Sequence, residues 1–203
     1  GENKISKIKA LQLAQISKNI QEELVKMDEF KDLFYKIKNR QEIEPHNINV
    51  QLFPYQKLGF NWLKNMYDIG FGGVLADDMG LGKTLQTISL LNEIYQENRD
   101  FSALIIVPSS LLYNWKEEII KFTGISPTLI EGMAAQRKEI ISKKSRGFMI
   151  TTYQALRNDI EEYKSRDFDV VVLDEAQNIK TTTSQIKKAV MKINSKVNFA
   201  LTG

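Results

Sequence analysis

The chain has 203 residues, enough for one sizeable core, and its 42% apolar and 26% charged residues are the balance of a globular protein. A formal net charge of +3 is too small to argue for nucleic acid from bulk charge, so any such surface must be a local patch. The lack of cysteine excludes disulfides, thiolate metal sites and a cysteine nucleophile, and the single histidine, His46, excludes a histidine zinc cluster and reads as a solvated loop residue beside Pro45. No stretch reaches the roughly 18 apolar residues of a membrane helix, so no membrane partner is expected. No secretion signal is visible, and with Gly rather than Met in first position this says little about compartment.

Residues 4–40 are helical in pattern, with Ile5, Ile8, Ile16, Ile20, Leu24, Met27, Phe34 and Ile37 mostly three or four apart. The spacing keeps no strict heptad, which favours a helix or two lying on a core over a coiled, partner-binding helix. The polar stretch QEIEPHNINV, 41–50, reads as a linker. Residues 1–46 are thus expected to form a helical segment, and 47–203 a separate lobe.

From residue 51 the rhythm changes. YQKLGFNWLKNMYDI is helical, GGVLAD is a short apolar strand, and KTLQTISLLNEIYQE is a helix. SALIIVP (102–108) is a nearly continuous apolar strand, followed by the helix LLYNWKEEIIKF. GFMITTY (147–153), DVVVLDEA (169–176) and VNFALTG (197–203) are further strands. Strands this apolar, alternating with helices, predict an α/β fold whose mostly parallel sheet is covered on both faces. In such a fold functional loops sit at the carboxyl ends of strands, so an end at Gly203 predicts that the natural chain continues.

Between the first strand and its helix lies DDMGLGKT. Gly80 and Gly82 let the main chain approach a phosphate, Lys83 can reach the β- and γ-phosphates, and the Thr84 hydroxyl can bind Mg²⁺. The helix that follows supplies a positive dipole end. Asp77 stands where the strict G-x-x-x-x-G-K-[ST] pattern has its first glycine. The alternative is a glycine turn followed by an accidental Lys-Thr, against which the strand–loop–helix context argues. Asp174 and Glu175 end the strand DVVVL. A carboxylate at the end of a buried strand beside the loop's strand suits Mg²⁺, and its neighbour suits the attacking water. Taken alone, the pair would read as a helix N-cap.

Together, MGLGKT and VVVLDEAQ resemble the helicase superfamily two ATPases. LFPYQKLGFNWL, VLADDMGLGKTLQTI, IIVPSSLLYNWKEEIIKF, MITTYQALRND and FALTG, in that order, resemble the Swi/Snf family of DNA-translocating ATPases over roughly residues 51–203. The resemblance implies a RecA-like three-layer first lobe that uses ATP and Mg²⁺. On it, Gln56 would read the adenine, and Asp78, Met79, Gly80, Leu81, Gly82, Lys83 and Thr84 would line the nucleotide. Asp174 would hold Mg²⁺ through water and Glu175 would activate the hydrolytic water. Gln177 and Thr202 would couple nucleotide state to movement. Pro108, Ser109, Thr151 and Thr152 would lie near a nucleic-acid backbone. Tyr55 and Trp115 read instead as core packing.

The resemblance further implies duplex DNA, a second RecA-like lobe of the same chain that carries the stabilising arginines, and a DNA-bound protein target. The compartment would be the cytoplasm or nucleoid of a bacterium, or a eukaryotic nucleus. The box reads Asp-Glu-Ala-Gln where many relatives end in histidine. A superfamily two RNA helicase and a non-motor, nucleotide-regulated docking module are the other readings.

Overall fold

The computed structural model describes residues 42–76, 80–143, 146–177 and 184–203. The chain divides into two compact units, residues 1–42 and 43–203. The first, apart from Glu42, lies outside the described residues, and with it the helical segment expected over 4–40.

In the second unit the elements run α1 (Pro54–Asp68), β1 (Gly73–Leu75), α2 (Lys83–Glu97), β2 (Ser102–Val107), a 3₁₀ turn (Ser109–Leu111) and α3 (Leu112–Thr123). Then follow β3 (Thr128–Leu129), α4 (Ala134–Ser142), β4 (Gly147–Thr152), α5 (Tyr153–Tyr163), β5 (Asp167–Leu173), α6 (Ser184–Val190) and β6 (Asn194–Leu201). The described strands form a sheet of order β1-β6-β5-β2-β4-β3, parallel throughout.

Strand alternation divides the core into two layers. Ala103, Ile105 and Val107 of β2 face a cluster with α1, α2 and α3, which includes Phe60, Leu63, Ile88, Leu91 and Trp115. Leu104 and Ile106 face the opposite cluster, with Ile141 of α4, Leu156 and Tyr163 of α5, and Ile186 of α6. All six residues of β2 are buried, as a strand in the middle of a sheet covered on both faces must be. The result is the three-layer α/β architecture expected. No element is expected from sequence over the two-residue β3 or over α4, α5 and α6, although Tyr153, Leu156, Ile160 and Tyr163 of α5 do recur at helical spacing.

The supposed linker is not a free connector over 43–50. Ile43, Ile48 and Leu52 pack against the core. Ile43 N–H donates to Asn61 Oδ1 (2.8 Å), and Asn61 Nδ2 donates back to the Ile43 carbonyl (3.0 Å). Farther along, Asn92 Nδ2 donates to the His46 carbonyl (2.9 Å), and the His46 N–H donates to Glu93 Oε2 (2.8 Å). The strap therefore covers the outer side of α2, which explains why Asn92 and Glu93 are buried there. His46 is exposed, but its Nδ1 sits 2.7 Å from Glu93 Oε1, and this bond raises its pKa above the ordinary imidazole value.

Candidate functional site

The described chain resumes at Gly80 after β1; Asp77, Asp78 and Met79 lie outside the described residues. Gly80 and Gly82 take φ values of 86° and 73°, a left-handed region that costs a residue with a Cβ roughly 1–2 kcal/mol. Gly82 opens α2 with no side-chain cap, and no acidic residue follows in the first turn. Lys83 and Thr84 thus begin a helix whose N-cap residue has no side chain to accept its N–H groups and whose first turn carries no acid, the electrostatics an anion requires.

Two glutamines brace this loop. Gln56, buried in α1, accepts from the Phe53 N–H through Oε1 (3.0 Å), and its Nε2 would lie 2.3 Å from a Cβ on Gly82. Gln86 Nε2 donates to the Leu81 carbonyl (3.1 Å). Gln86 fits only because α1 has a glycine opposite: a Cβ on Gly59 would lie 1.8 Å from Gln86 Oε1. Gly59 and Gln86 were not singled out in sequence, because nothing local marks a contact between two helices.

Asp174 follows the last residue of β5 and is buried. Its Oδ1 accepts the Glu175 N–H (2.9 Å), and its Oδ2 accepts the Trp115 indole N–H (2.7 Å). The Asp174 carbonyl accepts the Tyr153 hydroxyl (2.7 Å). Burial pushes the Asp174 carboxyl above the usual range and the Glu175 charge adds to this, while the indole, the Glu175 N–H and the Lys83 charge pull it down. The donors on the carboxylate oxygens are neutral, so they orient the charge without cancelling it. That chemistry fits a hydrated divalent cation, and Asp174 and the Thr84 hydroxyl are the residues that would hold one.

Glu175 has φ 51°, a left-handed conformation for a residue with a side chain. The Gln177 amide donates to Glu175 Oε2, and the Thr202 hydroxyl donates to Gln177 Oε1 (2.8 Å). Main-chain bonds tie the same strand ends together: Ala176 N–H to the Leu201 carbonyl (2.9 Å) and Thr202 N–H to the Leu75 carbonyl (3.2 Å). The expected neighbourhood of β5 and β1 needs correction here. β6 lies between them, and Thr202 at its end fills the gap.

Of the residues expected near nucleic acid, Pro108 is half-buried and Ser109 exposed at the end of β2. Thr151 is a correction: its side chain is wholly buried, because β4 lies within a sheet covered on both faces. Thr152 is half-buried, and its hydroxyl accepts the Ala155 N–H (3.1 Å) as the N-cap of α5. Tyr55 is a correction too. It is 45% exposed, stacks on Phe53, and lines an apolar groove of about 470 Å³ with Leu58, Trp62, Val74 and Leu81. Trp115 is buried as expected, but its polar edge makes it part of the site. A buried indole usually finds an acceptor, and that was the available signal.

A family model, the SNF2-related domain, matches residues 55–203. The chain belongs to this family. It is 39% identical over 160 residues to an uncharacterized ATP-dependent helicase of Mycoplasma pneumoniae, covering 78% of this chain and 16% of that protein. With Helicase SWR1 of Debaryomyces hansenii it shares 40% identity over 162 residues, covering 75% of this chain and 10% of that one. The Sulfolobus solfataricus SWI2/SNF2 ATPase core in complex with dsDNA superposes with a TM-score of 0.73 at 41% identity, over 81% of this chain and 34% of that one. This SNF2-related chain thus spans a small part of the curated relatives it matches, and its fold is that of the first RecA-like lobe of a Swi/Snf-type core. ATP-dependent activity is named for its relatives. Among the described residues, no helix is long and apolar enough to cross a membrane.

Proposed function

We propose that this lobe is the ATP-binding half of a duplex-DNA-stimulated ATPase that moves along DNA and remodels protein–DNA complexes. The observation that carries the reading is the meeting of two strand ends: the uncapped start of α2, with Lys83 and Thr84, and the oriented Asp174 carboxylate, on which the Lys83 charge acts. Lys83 binds the β- and γ-phosphates, and Gly80, Leu81 and Gly82 supply the main-chain cradle, with Asp78 and Met79 before it. Gln56 reads the adenine edge. Thr84 and Asp174 hold Mg²⁺, which neutralises phosphate charge during hydrolysis. Glu175 orients the attacking water and takes its proton. Gln177 and Thr202 relay the state of the γ-phosphate to the end of β6.

On the DNA side, Pro108, Ser109 and the main chain at Thr152 face the backbone, so binding is tolerant of sequence and weakened by salt. The compartment is then wherever that DNA lies, a bacterial nucleoid or a eukaryotic nucleus. A second RecA-like lobe supplies arginines to the transition state; such residues are worth roughly 10³–10⁵ in rate. The 203 residues alone therefore bind ATP and turn it over very slowly. Hydrolysis by the full-length protein, measured with duplex DNA against single-stranded RNA, tests the reading. Stimulation by duplex DNA is expected. Stimulation by RNA alone would make it an RNA helicase, and full-length rates from these 203 residues would overturn the two-lobe requirement.

A further inference from the structure

Two of the bonds that hold Asp174 come from helices that take no part in the phosphate loop. Trp115 lies in the first turn of α3, just past the exposed turn that follows β2. Tyr153 is the first residue of α5, directly after β4. In the sheet, β5, β2 and β4 are consecutive, so these side chains reach back across the strand ends to the carboxylate-bearing strand. The indole fixes one carboxylate oxygen at 2.7 Å, and the phenol fixes the main-chain carbonyl of the same residue at 2.7 Å. A third bond, from the Asp174 N–H to the Ile106 carbonyl (2.9 Å), pins the residue to β2 itself. Trp115 is only 2% exposed and Tyr153 8%, so neither bond competes with bulk water.

We propose that Trp115 and Tyr153 are positioning residues: they aim the Asp174 carboxylate at its divalent cation, and they make that aim depend on the ends of β2 and β4. The second half rests on the motor reading above, which brings a DNA backbone to Pro108, Ser109 and Thr152. A shift of either helix start moves a hydrogen-bond donor of Asp174 directly, with no intervening side chain. DNA contact at these strand ends thereby tunes the metal carboxylate. Hydrogen bonds of this supporting kind are worth about 10–100-fold in metal affinity where they have been removed.

The test uses the full-length protein carrying Trp115→Phe, which keeps an aromatic ring and loses the N–H, and Tyr153→Phe, which loses only a hydroxyl. Mn²⁺ binding in the presence of ADP is followed by electron paramagnetic resonance, and ATP hydrolysis is measured with and without duplex DNA. Trp115→Phe is expected to weaken Mn²⁺ binding about 10-fold. Both variants should lower the ratio of DNA-stimulated to unstimulated rate, with binding of metal-free ADP unchanged because the phosphate loop is intact. A purely structural role would instead lower the melting temperature and leave Mn²⁺ affinity and the stimulation ratio alone, and that result overturns the proposal. Tyr153→Phe, close to isosteric, carries the test of the ratio should Trp115→Phe fail to fold. An unchanged ratio in Tyr153→Phe overturns the link to the strand ends. If the wild type itself shows no stimulation by duplex DNA, the motor reading and the link that rests on it both fail, and the Mn²⁺ titration still decides whether Trp115 positions Asp174.

Discussion

Replacing Gly82 by Ala separates backbone strain from side-chain crowding in the phosphate loop. At φ 73° the new Cβ incurs roughly 1–2 kcal/mol of left-handed strain. It also lies 2.3 Å from Gln56 Nε2, so the Gln56 side chain must swing away. That movement breaks its 3.0 Å bond with the Phe53 N–H, worth about 1 kcal/mol. Together these disfavour the binding geometry by about 2–3 kcal/mol, or about 30–150-fold in ATP affinity. Gly80→Ala is the comparator: its φ is 86°, but no described residue lies within 4 Å of the added Cβ, so the strain is the term that applies. A titration with a fluorescent ATP analogue should therefore rank wild type, Gly80→Ala and Gly82→Ala in falling affinity, the last two about 5-fold apart. In a Gln56→Ala background the extra cost of Gly82→Ala should vanish. Equal affinities for the two alanine variants, or an undiminished Gly82→Ala cost without Gln56, would refute the crowding argument.

The strap over α2 should respond to pH. The His46 pKa is raised, chiefly by its bond to Glu93, so the contribution of this bond to stability is complete below about 6.5, the ordinary imidazole value, and fades as pH rises through the raised one. His46→Gln should remove that part of the pH dependence in thermal melts; a wild-type stability that rises with pH across this window would contradict it. At the end of β4, Thr151→Val should leave DNA affinity, measured by fluorescence anisotropy, unchanged. Its effect on stability should be small, since among the described residues the buried Thr151 hydroxyl has only the Tyr163 hydroxyl as a poorly formed partner. Thr152→Ala, by contrast, should cost about 1 kcal/mol through loss of the α5 cap. Weakened DNA binding in Thr151→Val would restore that side chain to the nucleic-acid face.

The strand–loop–helix around Gly80 and Gly82, and the place of Asp174 and Glu175 at the end of β5, were legible because their signals are local. In the proposed role, Gly80, Gly82, Lys83 and Thr84 would act through main-chain geometry and one helix start, which a run of a few residues specifies. The apolar runs of β2 and β5 announce a covered parallel sheet for the same reason: burial on both faces leaves its mark on every residue of a strand. Where local pattern was weak, as over the two-residue β3, or where polarity misled, as over 43–50, the reading missed. Polarity there was not solvation. Asn61, Asn92 and Glu93 wait on distant helices to satisfy the strap's backbone and the His46 ring.

Which surface each residue meets was decided by tertiary structure alone. Thr151 and Thr152 are neighbours in sequence, yet the doubly covered sheet buries one, while the other, at the end of the strand, caps a helix. β6, last in sequence, inserts between β1 and β5, so Thr202 and Gln177 come to connect the strand ends. Trp115 and Asp174 are 59 residues apart, and only the packing of α3 against the sheet brings the indole to the carboxylate. Local chemistry can be spelled in a short motif because one backbone segment contains it. The partners that orient that chemistry come from separate elements, and their meeting depends on how the whole sheet is ordered and packed.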